Sequence, residues 1–84
     1  MVKDKILAYV SEITSQFSFQ QDFLIYSAEH IASAMKLKRN TVSGYLNQLA
    51  QESLLIKINS RPVYFLERKS LEFVLDFPIY EDSF

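Results

Sequence analysis

From Val2 to about Phe17 the apolar residues Ile6, Val10, Ile13 and Phe17 recur at spacings of four, three and four, with Leu7 widening the stripe. One apolar stripe at that period predicts an amphipathic helix, softened at its end by Thr14, Ser15 and Gln16. A polar connector, SFQQD, leads to the short apolar run Phe23-Leu24-Ile25-Tyr26. That run is expected to be a brief strand paired with a later hairpin, or extended chain packed on the core. Ser27 precedes Ala28-Glu29-His30-Ile31 and is placed to cap a second helix, with Glu29 in the first turn complementing the helix dipole. Ile31, Ala32 and Met35 are expected to point inward, and Leu37 to plug the turn that follows.

A third helix is expected from near Arg39 to about Glu52. At about 100° per residue, Val42, Leu46 and Leu49 gather on one side, with Tyr45 at its edge. Asn40, Gly44, Asn47 and Gln51 gather on the other, flanked by Thr41, Ser43 and Gln48. From Leu54 the pattern changes. Leu54 to Ile58 and Val63 to Leu66 read as strands, joined by the turn cluster Asn59-Ser60-Arg61-Pro62. Pro62 at a strand entrance suits an edge, where the missing N–H costs nothing. A last helix is expected over Ser70–Phe77, capped by Ser70, ended by Pro78 and closing the core with Leu71, Val74 and Leu75. This order is a mostly helical α+β plan: a winged helix-turn-helix with a three-helix core, a β-hairpin wing and a short C-terminal helix.

Eighty-four residues suffice for one domain and one modest core. The domain is expected over residues 1–77, with 78–84 a tail or the start of a linker. With no Cys and a single His30, neither a disulfide framework nor a zinc site can be built. No metal or cofactor is expected. No apolar run approaches the roughly 18 residues of a membrane span, and the start lacks a signal peptide's apolar core. A cytoplasmic protein without membrane contact is the expectation.

The formal net charge of −1 argues at first against a nucleic-acid partner. Its distribution reverses that reading. Residues 36–69 carry seven Lys and Arg (Lys36, Lys38, Arg39, Lys57, Arg61, Arg68, Lys69) against Glu52 and Glu67, whereas both flanks are net acidic. The cations thus sit where the third helix and the wing are expected, the electrostatic footprint of a DNA-binding surface. A solvated charged face would have the same composition, and on charge alone the two accounts are equal. The uncharged polar face of the third helix separates them, because amides and hydroxyls there are suited to base edges in a major groove.

Asn40 and Asn47, with Gln48, are the candidates for base edges, since an amide can bond an adenine bidentately. Thr41, Ser43 and Tyr45 are candidates for phosphate, with partial burial an equal account for Tyr45. Lys38, Arg39, Lys57 and Arg61 supply charge and orientation. Asn59 and Ser60 join Arg61 at the wing tip, with donors for phosphate oxygens or a minor groove. Gly44 costs about 1 kcal/mol relative to Ala inside a helix; close approach to DNA is one reason for it, and neutral drift at an exposed site is the more ordinary one. Any single amide is more often a solvated helix residue than a base contact, so the clustering carries the argument.

The string Arg39-Asn40-Thr41-Val42-Ser43-Gly44-Tyr45-Leu46-Asn47-Gln48-Leu49, followed by Leu55 through Leu66, resembles the N-terminal winged helix of bacterial sugar-operon activators of the levanase-operon and mannose-operon regulator type. The likeness covers about residues 27–69, and the wing string Arg61-Pro62-Val63-Tyr64-Phe65 is its more specific part. In those activators an ATPase domain that engages the sigma-fifty-four form of RNA polymerase follows, and then phosphotransferase-system regulatory domains. The resemblance implies binding of double-stranded DNA at an upstream activator site. It also implies homo-oligomers in the full-length protein, and polymerase contact only through domains absent from this chain. Three positions depart from the family pattern: Lys38 where a Ser N-cap is usual, Gly44 for a longer polar residue, and Ser53 where Gly often ends the helix.

The alternative is a winged helix used for protein contact or dimerisation, through the aromatic residues Phe17, Phe19, Phe23, Phe77, Tyr80 and Phe84. Catalysis is not expected, because no base stands at a meaningful spacing from a nucleophile.

Overall fold

The computed structural model describes residues 1–78, as α1 (Val2–Ser15), a 3-10 helix η1 (Phe23–Tyr26), α2 (Ala28–Met35), α3 (Arg39–Gln51), β1 (Leu55–Ile58), β2 (Tyr64–Glu67) and α4 (Arg68–Leu75). The expected helical α+β winged architecture is present. The strands form a two-stranded antiparallel sheet with Ile56 opposite Leu66 and Ile58 opposite Tyr64. The expected tail beyond Pro78 lies outside the described residues.

The core follows from the helical stripes. Ile6 and Val10 of α1, Ile31 and Ala32 of α2, and Val42, Leu46 and Leu49 of α3 bury together with Leu55 and Phe65 of the sheet. Each fully buried Val, Leu or Ile contributes about 1.5–3 kcal/mol relative to exposure. Met35 and Leu37 pack on this cluster half-buried, as does Tyr45. A second cluster joins Tyr26, Ile56, Leu66 and Leu71. The sheet therefore buries both faces, with Leu55 and Phe65 in one cluster and Ile56 and Leu66 in the other. This explains why the strands lack the alternation of a half-exposed hairpin.

The turns between helices are closed without glycine. Lys36 is left-handed (φ 58°), and the Lys36 and Leu37 amides donate back to Ser33 and Ala32, which makes a Schellman motif. Ser53 (φ 63°) repeats it after α3, with the Ser53 and Leu54 amides on Ala50 and Leu49. The position where the family resemblance places Gly is thus left-handed in this chain too. Lys38 caps α3 with no side-chain hydrogen bond, whereas the Ser27 hydroxyl accepts the His30 amide at 3.2 Å, as expected of a cap.

Several boundaries differ from expectation. α1 ends at Ser15 rather than Phe17. The hydroxyls of Thr14 and Ser15 bond back to Val10 and Glu12, and Phe17 leaves the helix to stack on Phe23 at 5.6 Å. The Phe23–Tyr26 run is neither strand nor extended chain. The Asp22 carboxylate accepts the Leu24 amide at 3.0 Å and winds the run into a 3-10 turn, leaving one antiparallel bridge, Ser27 to Tyr64. β2 begins one residue late, at Tyr64, so the wing loop is 59–63; its Arg61–Pro62 bond is cis. α4 starts at Arg68, because Glu67 rather than Ser70 is its cap: the Glu67 carboxylate accepts the Ser70 amide at 2.9 Å. The helix ends at left-handed Asp76, before Pro78 is reached.

Two buried polar groups tie the layers. Thr14, fully buried, donates to the Val10 carbonyl and accepts the Glu67 amide at 3.0 Å, pinning α1 to the end of β2. Tyr26, 1% exposed, donates its phenol to the Ile13 carbonyl at 3.1 Å.

Burial raises the Tyr26 phenol above its ordinary value of 10.0, against a hydrogen bond from Gln21 that lowers it. The folded chain therefore holds this proton at a pH where the unfolded chain has lost it. The stabilisation is complete below about pH 10 and declines as pH rises through the folded-state value. Tyr26→Phe is expected to cost about 1 kcal/mol at neutral pH through the lost hydrogen bond and to flatten the alkaline decline, both read from urea melts between pH 7 and 11. Lys36→Gly is expected to gain about 0.5–1 kcal/mol by relieving a left-handed side chain, read as a higher thermal midpoint.

Candidate nucleic-acid interface

α3 is positioned by its apolar stripe: burying Val42, Leu46 and Leu49 leaves Asn40, Thr41, Gly44, Gln48 and Gln51 exposed. Ser43 and Asn47 are half-buried between that face and the wing. Tyr45 packs on the main cluster, the more buried of its two expected placements. The hydrogen-bonding face is therefore real as a surface, and it carries no acid.

Cations border it on two sides. Lys38 and Arg39 open α3, exposed, and Lys36 sits in the turn before them. Beyond the other edge, Lys57 on β1 and Arg61 in the wing loop are exposed, beside exposed Asn59 and half-buried Ser60, whose hydroxyl donates to the Pro62 carbonyl at 2.9 Å. The two acids of the basic segment are held elsewhere. Glu52 pairs with Lys3 of α1 at 2.8 Å, and Glu67 accepts from Ser11 and from Ser70. The excess positive charge expected over residues 36–69 is thus not cancelled beside α3. Glu29 is the exception, since it shares a cleft of about 370 Å³ with Arg39, Ser43, Asn47 and Lys57. His30 is exposed on α2 and stands apart from this cleft.

A side-chain contact joins the polar face of α3 to β1 of the hairpin. The Lys57 ammonium donates to Asn47 Oδ1 at 2.7 Å, while Asn47 Nδ2 donates to the Ser43 carbonyl at 2.9 Å. Reasoning from sequence missed this bridge. Its signal was Lys57 itself, the one polar residue of Leu-Leu-Ile-Lys-Ile, which the pleat turns outward on the strand next to α3.

A second surface lies on the side of η1, β2 and α4. Phe17, Phe19, Phe23, Tyr64 and Phe77 line an almost wholly apolar groove of about 320 Å³. Phe17 lies edge-on to Phe19 at 5.0 Å, and Phe23 edge-on to Tyr64 at 6.2 Å. Four of the six aromatic residues singled out in the sequence meet here; Tyr80 and Phe84 lie outside the described residues. Among the described residues, no group of three or more His, Asp or Glu converges as metal ligands would, and no helix is long and apolar enough to cross a membrane.

Gly44 faces open space, since a Cβ there would meet nothing within 4 Å. Gly44→Ala is therefore expected to raise stability by about 1 kcal/mol, measured by thermal unfolding. A drop in DNA affinity in the same stabilised variant would show that the open space is used by a close-lying duplex.

The chain is 50% identical over 50 residues to a transcriptional regulatory protein, DagR, of Salmonella typhimurium (strain 14028s / SGSC 2262), a match that takes in 60% of this chain. The chain spans only 5% of that relative's length. No family model matches the chain, and no solved structure matches it.

Proposed function

We propose that this domain is the sequence-specific DNA-binding head of a bacterial transcriptional regulator. The observation that carries the reading is the acid-free, hydrogen-bonding face of α3 beside a cationic wing. A regulator's name on the 50% identical relative supports it from outside the structure. In this reading α3 lies in the major groove, with Asn40 and Gln48 nearest base edges, Asn47 set behind them toward the wing, and Thr41, Ser43 and Tyr45 toward the sugar-phosphate backbone. Gly44 lets the duplex approach closely. Lys38, Arg39, Lys57 and Arg61 neutralise phosphates, and Asn59 and Ser60 complete the wing tip.

The resemblance noted above carries the finer proposal. The site is an upstream activator element of a sugar operon served by the phosphotransferase system, bound by homo-oligomers of a longer, cytoplasmic protein. Residues 1–77 are its head, and 78–84 lead toward an ATPase domain that contacts sigma-fifty-four polymerase.

The aromatic groove favours a second reading, a winged helix that docks protein. The two readings part on salt. DNA affinity should fall steeply with ionic strength, whereas apolar docking should respond little.

A mobility-shift titration against DNA from upstream of the adjacent operon tests the first reading. Asn40→Ala is expected to weaken specific binding by about 1–3 kcal/mol, the range of a bidentate base contact. Arg61→Ala is expected to weaken all duplexes alike and to lower the salt slope by about one. No shift at low salt, in the parent as in both variants, would leave protein docking at the groove as the reading.

A further inference from the structure

We infer that Asn47 is a positioning residue: its side-chain amide is a strut that fixes the wing relative to α3, and base reading falls to the exposed residues around it. This rests on the DNA-binding reading for its consequence, but not for its geometry.

Bidentate contact with an adenine needs the amide nitrogen as donor and the amide oxygen as acceptor together. Both ends of Asn47 are already engaged. Nδ2 donates to the Ser43 carbonyl at 2.9 Å, with Ser43 Oγ 3.5 Å away, and Oδ1 accepts from the Lys57 ammonium at 2.7 Å. The orientation is fixed by its neighbours, since a flipped amide would set its NH₂ against an ammonium and its oxygen against a carbonyl. The Lys57 bond is charge-assisted, the stronger class of hydrogen bond. Asn47 is half-buried, whereas Asn40, Thr41, Gly44 and Gln48 are exposed.

The place of the contact gives it leverage. Lys57 lies near the outer end of β1, opposite Phe65 and two residues before Asn59. Asn47 and Lys57 together border two openings, one shared with Arg39 and Ser43, the other with Gln51 and Arg68. The strut thus bridges α3 and β1 between two clefts, beside the apolar contacts of Leu55, Val63 and Phe65 with the main cluster, and with them it sets the angle between helix and hairpin tip. That angle sets the distance from the reading face to Asn59, Ser60 and Arg61. An ammonium has three N–H donors, so Lys57 can hold Asn47 and still meet a phosphate.

The test has an arm without DNA and an arm with it. The chain has no native Cys, so spin labels on Gln48→Cys and Asn59→Cys report the helix-to-wing distance by pulsed electron resonance. Asn47→Ala and Lys57→Ala should each broaden that distribution, and the double variant should broaden it no further. Asn47→Asp, which keeps an acceptor for Lys57 but sets its second oxygen against the Ser43 carbonyl, should stay narrower than Asn47→Ala. An unchanged distribution in Asn47→Ala overturns the inference whatever the DNA arm gives.

In the second arm, parent, Asn47→Ala and Asn40→Ala each select duplexes from a randomised pool. Asn47→Ala should recover the parent's motif with affinity lowered roughly fivefold to tenfold, as one or two lost hydrogen bonds would do, whereas Asn40→Ala should lose preference at a base position. Lost preference at one position in Asn47→Ala assigns that residue to base reading and ends the proposal. A parent that selects no motif removes the DNA-binding reading instead, and the distance measurement then decides the strut by itself.

Discussion

The two short strands bury both of their faces, and the rest of the domain is arranged around that fact. A two-stranded hairpin is marginal by itself in water. Here Leu55 and Phe65 enter the cluster formed by α1, α2 and α3, and Ile56 and Leu66 enter the cluster of η1 and α4. Adjacent residues on one strand therefore serve two cores. The hairpin base is held between apolar layers while its loop, 59–63, projects as a wing. α4 is needed because it covers the outer face through Leu71, and the 3-10 turn is needed because it brings Tyr26 to the same cluster.

Polar groups then fix the layers that apolar contact alone would let slide. Thr14 joins α1 to Glu67, and the Glu67 carboxylate in turn caps α4 and accepts from Ser11 on α1. An unsatisfied buried amide costs about 1–3 kcal/mol, so the Thr14 hydroxyl selects one register of α1 against the sheet. The strand runs into α4 without a loop for the same reason: its last residue is also the helix cap. The polar surface of α3 is what this arrangement leaves over. α3 spends Val42, Leu46 and Leu49 on the core and presents its other side, edged by a wing whose root is immobilised by the sheet.

The helical stripes of α1, α2 and α3 and the Ser27 cap could be read from spacing, because a 3.6-residue period and a hydroxyl ahead of a helix are local signals. The polar face of α3 was legible for the same reason, as the complement of its apolar stripe. Elements decided by competing local bonds were less legible. Asp22 winding Phe23–Tyr26 into a turn, and Glu67 displacing Ser70 as a cap, each pit one side chain against an expectation that was also reasonable. Left-handed Ser53 was visible only as a departure from a family pattern, and left-handed Lys36 left no signal in the sequence.

The chain by itself determined which residues go inside, because burial depends on hydrophobicity and period, and both are written along the sequence. It also determined that positive charge concentrates between residues 36 and 69 while the ends are acidic. Tertiary structure decided which side chains meet. It drew Glu52 and Glu67 to partners on α1 and α4, gathered Phe17, Phe19, Phe23 and Phe77 from distant segments, and joined Asn47 to Lys57 across ten positions. The reason is that a hydrogen bond or ring contact requires a distance of a few ångströms, and sequence separation sets no such distance until the sheet and helices have packed.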